Sequence, residues 1–333
     1  MRFGPVPLAQ AQGAVLAHSL AAGPRKLRKG RALGDADIAA LEQAGIAQVT
    51  VAQLEPGDLG EDAAAARIAA ALAPDPAAAG LRLSTAATGR VNLYAVHPGV
   101  LALDPAAIAR LNAVDPAITL ATLPTFARVA AGQMVATVKI ITYGVPGEAV
   151  ARVRACAGDA LSVRPVVLPD AGLILTEVPG QSRRLRDKAR AAMRGRLDAL
   201  GMALAESPVV PHETGALAEA LRTVRGALVL ILTGSATSDP RDVGPEALRR
   251  AGGRLTRFGM PVDPGNLVFL GDLGGRAVIG LPGSMRSPVP SGGDWVLQRI
   301  ACGLDVSDAD IAAMGVGGLL KESAARPHPR ERR

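Results

Sequence analysis

The spacing of apolar residues changes character partway along the chain. In the first half, Ile38, Leu41 and Ala44 recur at helical spacing behind Asp35, a capping-type residue, and ahead of Gly45. A short amphipathic helix is expected there, followed by a strand from Ile46 to Ala52. The run "EDAAAARIAAAL" (61–72) is built from strong helix formers and stops at "APDP", where proline cannot continue a helix. From Leu81 to about Ala155, runs such as "GRVNLYAV" and "MVATVKIITYGV" predict short strands, with a helix from Pro105 to Asn112 among them. This half reads as α+β with substantial mixed sheet.

After "SVRPVVLPD", apolar runs of strand length alternate with helical patterns. "AGLILTEV" (171–178) reads as a buried strand. Ser182 is placed to cap a helix reaching about Leu200, with Leu185, Ala189, Met193 and Leu197 on one stripe. "MALAESPVV" is the next strand, Thr214 to Val224 the next helix, and "ALVLILT" (227–233) a continuous apolar strand. A polar loop, a helix from about Gly244 to Ala251, a hairpin-like pair around "VDPGNLVFLG", the strand "AVIGLP" and a helix from about Asp294 to Cys302 complete the pattern. Strands alternating with helices predict a mostly parallel sheet covered on both faces, a three-layer α/β/α domain preceded by a smaller α+β region. Expected boundaries are 1–165, 166–305 and a C-terminal segment, 306–333, that ends in a basic, disordered tail.

In such sheets ligands bind beyond the carboxyl ends of the strands, here Thr176 to Gln181, Gly234 to Asp242 and Pro282 to Ser287. In "VIGLPGSMRSP" (278–288), Pro282 and Gly283 stop the strand ladder. The amides that follow and Arg286 suit an oxyanion, although a plain strand-to-helix turn with a surface arginine has the same outline. "LTGSATSDPRD" (232–242) pairs small residues and hydroxyls with Asp239 and Asp242. Ser235, Thr237 and Ser238 can donate to an oxyanion. The two carboxylates can hold a cation or a heterocycle's N–H groups, or one of them can cap the next helix.

Composition and charge narrow the classes of function. Apolar residues make up 49% of the 333, enough for the cores of about two domains. Aromatic residues are only 2%, which leaves almost nothing on which to stack exposed bases. The net charge of +7 is concentrated in residues 25–31, 181–196 and 321–333, so the rest of the chain is net acidic. Such clusters solubilise a surface or, beside a pocket, favour an anionic ligand. A nucleic-acid binder would lose affinity steeply with salt. Cys156, Cys302, His18, His97, His212 and His328 lack disulfide or zinc spacing, so neither feature is expected. No apolar run long enough to span a membrane and no convincing secretion signal is seen, and a cytoplasmic location is expected.

The ordered segments "LVLILTGSATSDPRDVGPEALRRAGG", "VDPGNLVFLG" and "VIGLPGSMRSP" resemble the molybdopterin-binding domain of molybdenum cofactor biosynthesis proteins, over roughly residues 170 to 303. "GRALGDADIAALEQAGIAQVTV" is similar to the linking region of molybdopterin molybdenumtransferases, and the whole resembles a divergent, transferase-like branch. The resemblance implies a pterin dithiolene phosphate, or its nucleotide form, as ligand, with Mg²⁺ used by the transferases during molybdate insertion. The alternative role is a non-catalytic carrier that delivers the cofactor to a molybdenum hydroxylase. Other cofactor-maturation enzymes are further candidate partners, and self-association is a further expectation. Nucleic acid and membrane are not expected as partners.

Carried over by position, the ligand would be held by Thr233, Gly234 and Ser235, by Pro264 and Gly265, and by Pro282, Gly283 and Ser284, with Asn266, Arg286 and Ser287 added from the same loops. Thr176 at the first strand end and Lys188 on the following helix join this set from their own positions. Asp242 and Asp239 are the candidate catalytic and metal-binding pair. The sequence departs from the family pattern at Ser235 and Asp239, where glycine is usual, at Asn266 in place of a lysine, and at Ser284 and Met285 in place of Asn-Pro. Amide cradles tolerate such swaps better than metal or proton chemistry does.

Overall fold

The computed structural model describes residues 1–158 and 160–320, so the tail expected at the C-terminus lies outside the described residues. The chain divides into two units, Met1–His97 with Leu101–Arg164, and Pro98–Val100 with Pro165–Arg333.

The first unit holds two apolar clusters. One gathers around Leu16, Leu41 and Val51, where strand Gln48–Gln53 pairs antiparallel with Arg2–Pro7 and Val15–Leu16 and the helix Asp35–Gln43 packs alongside. Asp35 is the first helical residue here, not the cap. Gly34 takes that position, and the Asp37 carboxylate reaches back to accept the Gly34 amide (3.3 Å), the half of a capping box that the third helical residue supplies. The other cluster joins helices Glu61–Leu72, Pro105–Asn112 and Gly147–Ala157 to an antiparallel sheet of Leu81–Leu83, Arg90–Ala95, Met134–Ile140 and Ile118–Thr122. Asp104 caps Pro105–Asn112 by accepting the Ala106 amide at 2.8 Å.

The second unit is built on a seven-stranded sheet. Its strands, numbered within this unit, are β1 (Asp170–Glu177), β2 (Ala203–Glu206), β3 (Val209–Pro211), β4 (Leu228–Leu232), β5 (Arg254–Phe258), β6 (Phe269–Leu273) and β7 (Arg276–Leu281). β2, β3 and β4 pair parallel with β1, and β7 parallel with β4, while β6 and β5 continue the sheet antiparallel. The predicted single strand 202–210 is therefore two short strands, both on the edge of β1. The pair expected around residues 262–271 is the hairpin β5–β6 with those residues largely in its connection.

Period-2 alternation distributes the strand side chains between two faces. Leu173, Leu175, Leu230, Leu232, Ile279 and Leu281 cluster with α1 (Arg183–Asp198) and α4 (Gly292–Ala301). Ile174, Val229, Ile231 and Val278 cluster with α2 (Thr214–Thr223) and α3 (Val243–Arg250). On α1, Ala189, Met193 and Leu197 are buried as the periodicity predicts, but Leu185 is 40% exposed, and Ser182 makes no side-chain cap bond. The parallel register sets Leu175 beside Leu232 and Leu232 beside Leu281. The loops that follow these three strands consequently leave the sheet side by side.

Candidate functional site

Three strand ends supply the site. At the end of β1 the Thr176 hydroxyl, 2% exposed, accepts the Gly234 amide at 2.7 Å and lies 2.8 Å from His212 Nδ1. Gly234 cannot carry a side chain there. A Cβ would stand 2.9 Å from the Thr176 carbonyl and 3.1 Å from Gln181 Oε1. The Thr233 carbonyl, on the other side of the same peptide group, accepts from the Arg286 guanidinium. One peptide unit at the end of β4 is thus held from the β1 side through its N–H and from the β7 side through its C=O.

After β7, Pro282 is buried and Gly283–Arg286 turn as a single 3₁₀ element. The turn consumes two amides that sequence reasoning offered to a ligand: Met285 N–H donates to the Pro282 carbonyl (2.9 Å) and Ser287 N–H to that of Ser284 (3.2 Å). Ser284 Oγ pairs with Ser291 Oγ at 2.9 Å, and Ser291 donates to the Pro264 carbonyl at 3.1 Å. That carbonyl also accepts the Gly292 amide at 2.8 Å, which ties the loop before β6 to the start of α4. Gly265 has φ +147°, and its Cβ would meet the Gly292 nitrogen at 2.7 Å, so this contact requires glycine. Asn266 closes its own turn, its side-chain amide donating weakly to the Met260 carbonyl at 3.4 Å.

These pieces frame a pocket of about 210 Å³ whose lining includes Lys188, Pro264, Gly283, Ser284, Arg286 and Ser287. Leu185, the exposed member of the α1 stripe, is part of the same wall. Lys188 is exposed and Arg286 half-buried, so two cations from α1 and the β7 loop meet one cavity. Burial pushes the Arg286 guanidinium below its ordinary pKa, yet an arginine stays cationic across the working pH range. A half-buried guanidinium and a nearby ammonium at a strand-end pocket are suited to a phosphate.

The carboxylates stand in the loop before α3. Asp242 caps α3, its Oδ1 accepting the Val243 amide (2.7 Å) while Oδ2 accepts that of Ser238 (3.0 Å). Asp239 is exposed and binds Arg241 through the backbone amide (2.8 Å) and Nε (3.3 Å), bonds that hold its carboxyl below the usual range. Ser235 is exposed, and Thr233 is buried with its hydroxyl 3.3 Å from that of Thr237. Neither carboxylate lines the phosphate-sized pocket. Among the described residues no group of three or more His, Cys, Asp or Glu gathers in a metal-binding arrangement. The remaining lone pairs of Asp239 and Asp242 suit a hard divalent ion only when a ligand phosphate completes the oxygen set.

Sequence reasoning missed Arg196. Its side chain is 9% exposed and its Nε donates to Asp294 at 2.7 Å. Its two terminal nitrogens donate to the carbonyls of Ala192 and Met285, and of Ser287 and Val289, at 2.7–3.2 Å. One guanidinium on α1 therefore fixes the backbone of the β7 loop and the first turn of α4. His212 was also missed as a site residue, because a lone histidine carries no spacing signal. It directly follows β3, whose Val210 pairs with Thr176, and its own amide donates to the Glu177 carbonyl at 2.9 Å, which sets the imidazole beside the hydroxyl.

An α/β sheet whose strand-end loops gather two cations around a small cavity has the chemistry to hold an oxyanion. Residues 156–291 match the family profile described as a probable molybdopterin binding domain. Residues 5–53 match a second profile, a domain of unknown function (DUF8806). A comparison with curated proteins gives no match. Among solved structures, the chain is similar to the molybdopterin biosynthesis moea protein from Pyrococcus horikosii, at 13% identity and TM-score 0.32, covering 91% of this chain and 75% of that one. A molybdenum cofactor biosynthesis protein from Pyrococcus furiosus is 15% identical at TM-score 0.26, with 94% of this chain covering 65% of the other.

Proposed function

We propose that the second unit binds the pterin dithiolene phosphate, or its nucleotide form, and that the protein takes part in molybdenum cofactor biosynthesis. The observation that carries this reading is the convergence of Lys188 and Arg286 on one strand-end pocket inside the region that matches the molybdopterin-binding profile. The pocket is smaller than the roughly 300 Å³ at which whole-ligand sites begin, so it suits the phosphate end of the ligand.

Two roles follow from this binding. In the transferase role, Asp239 and Asp242 would hold Mg²⁺, which would supply positive charge to offset an anionic ligand during molybdate insertion. In the carrier role, the protein holds the cofactor for a molybdenum hydroxylase. The second role is favoured by the bonds that already engage both carboxylates within their loop.

Calorimetric titration with the stable oxidised phosphopterin derived from molybdopterin tests the binding. Losing the charge-assisted bond in Arg286→Ala is expected to cost about 1.5–3 kcal/mol, roughly 10- to 150-fold in affinity. Unchanged affinity with an intact fold removes Arg286 from the site. Incorporation of molybdate in the presence of Mg²⁺ identifies the transferase, whereas binding that is unaltered by chelator and never followed by incorporation identifies the carrier.

A further inference from the structure

Beside the phosphate-sized pocket, the ends of β1 and β3 enclose a second hollow of about 440 Å³, with Glu177, Pro179, Gln181, Pro211, His212 and Glu213 in its wall. We propose that this hollow takes a heterocyclic ring with a 2-amino-4-oxopyrimidine edge, the edge shared by pterins and guanine, with His212 as a donor to the ring and Glu213 as its acceptor. The inference deepens the reading above, and rests on it only for which of the two rings is the natural occupant.

Volume separates the two hollows. The second lies within the range that holds a whole small ligand, and the first lies below it. A ligand with an anionic end and a flat ring would divide between them in that order.

The polar groups define the edge that fits. The Thr176 hydroxyl already accepts the Gly234 N–H and lies 2.8 Å from His212 Nδ1, and we assign the tautomer in which Nδ1 accepts the hydroxyl's own hydrogen. In the neutral imidazole the proton then sits on Nε2, the ring's remaining polar atom, as a donor. Gln181 Oε1 accepts the Val178 amide at 3.3 Å, which leaves the side chain's NH₂ as a second donor. Glu177 is paired with Arg186, whereas the Glu213 carboxylate is exposed at the rim. Two donors and a carboxylate complement one oxo acceptor beside an adjacent amino and ring N–H pair. Adenine offers no oxo group and no such pair of donors. Pro179 and Pro211 add flat apolar surface for the faces of the ring.

The experiment titrates the full chain with fluorescent 6-hydroxymethylpterin, with guanosine and adenosine as competitors. Glu213→Gln, at an exposed position, lowers pterin affinity about tenfold, and His212→Ala lowers it several-fold, as expected for one charged and one neutral hydrogen bond. Arg194→Ala, on the exposed side of α1, serves as control and leaves affinity unchanged. Equal affinity in wild type and both pocket variants overturns the assignment, as does competition by adenosine as strong as by guanosine. Failure of both rings to bind overturns it too. If guanosine binds and loses affinity in Glu213→Gln while pterins do not bind, the ring pocket stands and the molybdopterin reading falls. If the oxidised phosphopterin binds but the pocket variants bind it as wild type does, the reverse holds.

Discussion

At the scale of single residues, Asp37 shows how a buried charge couples acidity to the stability of the first unit. The carboxylate is 2% exposed, and its Oδ2 accepts Arg31 Nε at 2.7 Å and the Gly34 amide at 3.3 Å. The hydrogen bond to Arg31 is the main cause that holds this carboxyl below the ordinary aspartate range, against the opposing effect of burial. A depressed folded-state pKa contributes stability that is fully present above the unfolded value, about 3.9, and is lost as pH falls through the folded one. Urea unfolding followed from pH 5 down to 2 is expected to show this loss, and Asp37→Asn is expected to flatten it while weakening the fold at neutral pH. The role was not legible in the sequence. Asp35 has the better capping outline, and only the fold shows that Asp37 is the residue that turns inward.

Among the elements, the alternation of β1, α1, α2, β4, α3, β7 and α4 was legible because continuous apolar strands and helical stripes differ in period. What escaped is the part of α1 that faces the β7 loop. Arg196 directly precedes Leu197 and follows Met193 by three, so it lies within the buried stripe, yet arginine in a basic run reads as a solvated face. Its principal partner, Asp294, is 98 residues away, and no local pattern carries that distance. Arg196→Met is expected to leave five carbonyl and carboxylate acceptors short of a donor, destabilising the fold by roughly 3 kcal/mol or more, as breaking one side of a buried ion pair does. Arg196→Lys keeps the charge but cannot span those acceptors with one planar fork, so it is expected to restore only part. Thermal unfolding measures the loss. Pyrophosphate affinity in the two variants, taken well below their melting temperatures, reports whether the β7 loop has moved from the shape that Lys188 and Arg286 need.

For the whole molecule, the sequence indicated which loops meet at one cavity more clearly than which side chains face it. Six residues named from motif position or helix position line one pocket: Lys188, Pro264, Gly283, Ser284, Arg286 and Ser287. Asp239 and Asp242 came from the same reasoning but occupy a neighbouring loop, where their bonds are those of a turn and a helix cap. Motif order reports which loops share a sheet edge, whereas the direction of a side chain depends on hydrogen bonds that the motif does not encode.

The peptide group between Thr233 and Gly234 has a consequence that neither pocket has alone. Its N–H is fixed through Thr176 to His212, and its C=O is fixed by Arg286, so a single dipole spans from one hollow to the other. A phosphate that draws charge from Arg286 weakens the grip on the carbonyl, and a ring that takes the His212 proton alters the grip on the amide. The two halves of a ligand would therefore sense each other. By thermodynamic linkage, whatever factor pyrophosphate imposes on pterin affinity, pterin must impose on pyrophosphate affinity. Measuring either fragment in the presence of the other should return the same cooperativity factor, and replacing Thr176 with valine should bring that factor to one.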